Sequence, residues 1–181
     1  MAAAVCVLAL TLAGCGAHTG KPPPTPTVSQ VRGAMSRQPR MSETLTGGTG
    51  TVRRAVVDTK GRYLALYAPS GKVTVLDKSG VEYRLLNTGC YGRYHAGPTS
   101  TQAFWTGLLA SATGPHYTTT VSGGTVIYRH ENSQVVVDAR TDLIRSASSS
   151  AYPAGGIPAA SATLSYPATV PEAPIPTPAC R

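Results

Sequence analysis

The chain has 181 residues, among them 19 Gly, 15 Pro, nine Tyr, one Trp and one Phe, and only 13% of it is charged. That length suits one domain; the Gly, Pro, Thr, Val and Tyr content excludes a helix bundle, and the shortage of Trp and Phe excludes a large aromatic core. Sixteen Lys and Arg against eight Asp and Glu give a formal charge of +8, and beyond the N-terminus no run of about 18 apolar residues exists to span a bilayer.

Ala2 to Leu12 form an apolar stretch that ends in Leu12-Ala13-Gly14-Cys15. A short apolar segment closed by small residues is the mark of an export signal. A Cys directly after Leu-Ala-Gly resembles the lipobox of bacterial lipoproteins. That resemblance implies cleavage after residue 14, a diacylated Cys15 as first mature residue, and a lipid anchor on the extracytoplasmic face of the cell membrane. No Lys or Arg precedes the apolar run, which reads as a start site placed too late. Residues 15–27 then form a tether, in which Pro22, Pro23, Pro24 and Pro26 enforce an extended, semi-rigid chain.

Val28, Val31 and Met35 recur at helical spacing, predicting an amphipathic helix that begins near Thr27 and ends by Pro39. From Ser42 the period becomes two. Segments 44–46, 51–57, 62–67, 72–76, 81–86 and 90–94 read as strands parted by Gly-containing turn dipeptides. A second helix is predicted over Ser100 to Ala112, capped by Thr99 or Ser100, with Phe104, Leu108 and Leu109 inward and Gly114-Pro115 beyond its end. Strands resume at 117–121, 125–129, 134–139, 143–148 and 161–166. The expected fold is α+β, a curved antiparallel sheet with an N-terminal helix and a mid-chain helix, in a domain over residues 28–170. A β-sandwich is the runner-up. The inward set is expected to include Tyr63, Tyr67, Tyr83, Leu64, Leu66 and Leu85.

Four Cys are present. Cys6 falls in the removed segment and Cys15 carries lipid, which leaves Cys90 and Cys180 in a compartment where disulfides persist. Their bond would hold the Pro-rich tail, residues 171–181, against the sheet; two free thiols are the alternative. The four His are scattered and no Cys-x-x-Cys occurs, so neither a metal nor any other cofactor is expected. No Gly-x-Ser-x-Gly elbow occurs, and no two carboxylates share a helix face. The chain is therefore read as non-catalytic. The dispersed Arg argue against nucleic acid; they suit anionic lipid or envelope polymers, or simply reflect GC-rich codons.

The lipobox and Pro/Thr tether, the helix bearing Phe104-Trp105, the run Val135 to Ser146 (VVVDARTDLIRS) and Ser165-Tyr166-Pro167 make the order of elements resemble actinobacterial envelope lipoproteins of the LppX/LprG and LolA-like group. The resemblance implies a half-barrel whose concave face holds both helices, and a cavity for acyl chains. Phe104, Trp105, Leu108 and Leu109 are then the candidate ligand-lining residues, and a lipid the candidate ligand. The competing expectation is a solid-cored interaction protein that docks on an envelope protein partner.

Overall fold

In a computed structural model, residues 24–47, 52–150 and 160–180 are described. The expected signal segment 1–14, Cys15 and the first part of the expected tether lie outside them, as does the side chain of Phe104. The elements run α1 (Val28–Ser36), β1 (Arg40–Gly47), β2 (Val52–Asp58), β3 (Tyr63–Tyr67), β4 (Val73–Lys78), β5 (Val81–Leu85) and β6 (Tyr91–His95). After α2 (Gln102–Ala112) come β7 (Thr118–Ser122), β8 (Thr125–His130), β9 (Ser133–Asp138), β10 (Ile144–Ser149) and β11 (Ala160–Ser165). Each strand expected from the turn signals is present, and each begins or ends within a few residues of expectation.

All eleven strands form one open antiparallel sheet in the order β6-β5-β4-β3-β2-β1-β11-β10-β9-β8-β7. Two meanders are thus joined edge to edge where β1 meets β11, with Ser42 opposite Ser165 and Gly47 opposite Ala160. The sandwich alternative is excluded for these residues, because one sheet accounts for every strand.

Helix α1 starts in a capping box. Thr27 Oγ1 accepts from the Gln30 N–H at 3.2 Å, and Gln30 Oε1 accepts from the Thr27 N–H at 2.7 Å. It buries Val31, Ala34 and Met35 and stops before Pro39, whose ring disfavours helical geometry in the residue ahead of it. Tyr128, itself 1% exposed, donates its hydroxyl hydrogen bond to the Pro26 carbonyl, so Pro26, within the segment expected to be a tether, is held against the core. The N-cap of helix α2 is Thr101, whose hydroxyl donates to the Gln38 carbonyl at 3.4 Å, and the side-chain bond to the helix start comes from Ser100, one of the two expected capping residues. Ser100 accepts from the Gln102 N–H at 3.1 Å.

The sheet buries opposite faces in its two halves. On one side α1 and α2 cover Val126, Tyr128, Val135, Val137, Ile144, Ala147, Ala162, Leu164 and Met41, which come from β8–β11 and β1. On the other side the C-terminal tail crosses β2–β5 and buries Val56, Tyr63, Ala65 and Leu76 beneath Ala173 and Val170. Three bonds fix that tail: Arg40 donates to the Ala168 carbonyl at 2.6 Å, Lys78 pairs with Glu172 at 2.6 Å, and the Ala173 N–H donates to the Tyr63 hydroxyl at 2.7 Å. The tail ends beside β6. Tyr91 donates its N–H to the Pro178 carbonyl and accepts from the Cys180 N–H, and Cys90 and Cys180 form a disulfide with their Cα atoms 5.1 Å apart.

One expectation needs correction here. Tyr63, Tyr67, Tyr83, Leu64, Leu66 and Leu85 do not form one inward set. Alternation along β3 splits it, with Tyr63 and Tyr67 facing the tail beside Tyr83, and Leu64 and Leu66 facing the helix side.

The disulfide closes a loop of 90 residues across this tail. Reduction, or Cys180→Ala, is expected to lower the unfolding free energy by about 2–4 kcal/mol. Urea denaturation with and without reductant measures it, and an unchanged midpoint would remove the tail bond from the fold's stabilising contacts.

Candidate functional site

Between α2 and the sheet runs a cleft of about 70 Å³ lined by Leu45, Leu108, Ser111, Ala147, Ser149, Ala160 and Ala162. Its floor follows from strand register. Ala147 on β10 faces Ala162 on β11, and Ala162 faces Leu45 on β1, so two methyl groups lie where larger side chains would close the space. At its mouth the cleft opens into a shallower depression of about 370 Å³, bordered by Thr46, Gly47, Ser148, Ser149, Ser150, Ala160 and Ser161. Hydroxyl groups dominate that rim.

The candidate residues on α2 divide along its length. Trp105 is 1% exposed and Leu109 2% exposed; both belong to the closed core with Ala112, Val126 and Val135. Leu108 is half-buried and lines the cleft. So of the candidate residues Trp105, Leu108 and Leu109, only Leu108 borders open space. The Trp105 indole N–H finds no hydrogen-bond partner among the described residues although it is buried, a penalty that the ring's burial has to offset. Cys90 and Cys180 sit at the β6 end of the sheet, away from this cleft, and serve the tail.

Leu45 is shared with a second cavity of about 180 Å³, on the same face of the sheet but beyond the helices. Glu43, Arg53, Arg54, Ala55 and Leu66 complete its lining. The register explains the gathering: Leu45 faces Arg53, Glu43 faces Ala55, and Ala55 faces Leu66, all with side chains on the helix side. Farther along that side the connection between β6 and α2 closes the face. Thr99 lies beside Asp77, which is 8% exposed and faces Glu82 on β5. Burial, then the Glu82 charge, push the Asp77 carboxyl above its ordinary range.

Glu43 is the least expected member. It stands between Met41 and Leu45 on the buried phase of β1, where alternation calls for an apolar side chain. Burial alone pushes its carboxyl above the ordinary range, and no ion pair offsets the cost among the described residues. A carboxylate at an inward strand position is legible in sequence, but only once the phase of β1 is known. Leu45, Ala147, Ala162 and Arg53 carry no comparable signal, since each is ordinary for a strand.

Among the described residues no group of three or more His, Cys, Asp or Glu could hold a metal ion, and no helix is long and apolar enough to cross a membrane. Leu109→Ala is expected to cost about 2–5 kcal/mol by opening a void in closed packing. Leu108→Ala, beside space already open, should cost less than half as much. Paired urea unfolding curves compare them, and equal losses would mean that α2 packs uniformly along this face. No protein-family model matches the chain, and none of the curated proteins is similar to it.

Proposed function

We propose that this is a non-catalytic extracytoplasmic lipoprotein, anchored to the cell membrane through Cys15, whose domain binds an apolar chain such as that of a lipid against the helix side of its sheet. The observation that carries the reading is the cleft beneath Leu108. Its floor is Ala147, Ala162 and Leu45, and Leu45 also borders the second cavity on the same face. A half-barrel held open by α2 and the kinship to the LppX/LprG and LolA-like group belong to the same reading. At about 70 Å³ the part under α2 holds roughly two water volumes. Ligand therefore lies along the open stretches of the face, with only one end under the helix.

A second reading, an envelope interaction protein with a solid core, is favoured by one feature. Trp105, Leu109 and Ala112 are closed off completely, and such a core leaves only the outer surface for a protein partner.

Two experiments separate these ideas from their failures. Cys15→Ala should release the protein from the membrane fraction or leave an uncleaved precursor; unchanged retention with normal processing would end the anchor assignment. Leu108→Trp should fill the cleft and abolish lipid co-purification while the melting temperature holds, because the ring enters space already present. In a solid core the same change costs about 1–3 kcal/mol. A fallen melting temperature with no lipid ever bound to the native protein would favour the docking reading.

A further inference from the structure

The cavity beyond the helices holds opposite charges that are not joined. Glu43 and Arg53 line the same 180 Å³ with Leu45, Ala55 and Leu66, yet no ion pair links them. The other charged groups on the helix side of β4 and β5 lie away from this cavity, and only Arg84 and Glu82 are paired there; the buried Asp77 Oδ1 has no hydrogen-bond partner among the described residues. Arg84 pairs with Glu82 at 2.6 Å and lies over the Tyr94 ring, and Asp77 is shut beneath the β6–α2 connection with Thr99. Arg54 also borders the cavity, but its side chain turns to the opposite face, with its guanidinium 4.3 Å from the Tyr67 ring centroid. Arg53 is exposed and without a partner among the described residues, and Glu43 is a half-buried carboxyl in apolar surroundings.

Both groups stand at the end of an apolar floor. In one register row Ala147, Ala162, Leu45 and Arg53 follow one another across β10, β11, β1 and β2. Adjacent strands lie about 4.8 Å apart, so the row is about 14 Å long. It begins in methyl groups and ends in a guanidinium. Glu43 and Leu164 lie in the neighbouring row beside it.

We infer that this row binds a single-chain amphiphile whose head group combines an anion with a hydrogen-bond donor, the anion taken by Arg53 and the donor by Glu43. The assignment rests on the carrier reading above and names the head-group chemistry that reading leaves open. A phosphate or carboxylate suits the guanidinium, which offers several N–H donors in one plane. A hydroxyl beside that anion offers Glu43 a donor that no protein group among the described residues provides, which eases the partial burial of its carboxyl. A purely anionic head would leave Glu43 unsatisfied and add repulsion. A neutral polyol head would leave Arg53 unused.

The test uses the full chain and three probes with the same acyl chain, each titrated below its micelle concentration by calorimetry. Lysophosphatidylglycerol carries both groups, a fatty acid the anion alone, and a monoacylglycerol the hydroxyls alone. Lysophosphatidylglycerol is expected to bind about tenfold tighter than either of the others, as one charge-assisted hydrogen bond allows. Arg53→Gln should reduce its affinity to that of the monoacylglycerol, and Glu43→Leu to that of the fatty acid. Neither change should lower the melting temperature, since Arg53 is exposed and Glu43 is unpaired. Chainless glycerol phosphate should bind far more weakly than any of the three, which separates a lipid site from a phosphate site. Equal affinity for all three probes, or an unchanged ranking in both variants, overturns the head-group assignment and leaves the carrier reading standing. No binding by any probe overturns the carrier reading itself.

Discussion

The pairing of β1 with β11 holds this structure together. Each of the two meanders is built from neighbours in sequence, and a hairpin needs little loop-closure entropy. The β1–β11 ladder is different, because it joins the first strand of the chain to the last over six register pairs, from Ser42–Ser165 to Gly47–Ala160. It makes two half-sheets into one and places the termini of the meanders at its centre. It also leaves β6 and β7 as the outer edges. The chain treats those edges differently. The tail's Pro178 and Cys180 occupy the start of β6 through backbone hydrogen bonds to Tyr91, whereas β7 is short, Thr-rich and exposed along its length, a modest template for unwanted pairing.

Because the ladder is continuous, the two halves share a plane but not a cover. The helices bury one face of β8–β11 and the tail buries the opposite face of β2–β5. A consequence is that the helix side of β2 and β3 is open at the Arg53 end, although Val57 farther along β2 is fully buried. Ala55 and Leu66 border open space there, and Leu45 on β1 marks the boundary, touching both the cleft under α2 and the cavity beyond it. The site is thus a product of incomplete coverage. Helix α2, eleven residues long, packs on β8, β9 and α1, and the tail is committed to the other side by its disulfide and by Tyr63.

The ionisable groups follow the same geography. On the tail side and at the turns, charges are matched: Arg40 with Asp58, Lys78 with Glu172, Arg145 with Asp138. The Arg145 hydrogen bond, with those from Thr141 and the Arg140 and Thr141 N–H groups, holds the Asp138 carboxyl down at about 2 against a smaller opposing effect of burial. That carboxylate organises the turn into β10. Glu43 is the contrast, raised by burial and unmatched. An unmatched carboxyl at an inward strand position costs stability wherever it serves no ligand, which is why the uncovered groove and the charge at its edge are best understood together.

What the sequence determined by itself was local. Turn dipeptides and period-two alternation marked each strand, Thr27 and Pro39 bounded α1, and the count of cysteines, in a chain read as exported, named Cys90 and Cys180 as partners. These are all features of neighbouring residues or of arithmetic over the chain. Only the tertiary structure decided that β1 meets β11, which face each half buries, and that Trp105 and Leu109 close the core while Leu108 borders a cleft. Alternation says that a strand has two different faces, but not what will cover either one. The convergence of Glu43, Arg53, Ala147 and Ala162 was equally hidden, because those residues become neighbours only through a register set between the two ends of the chain.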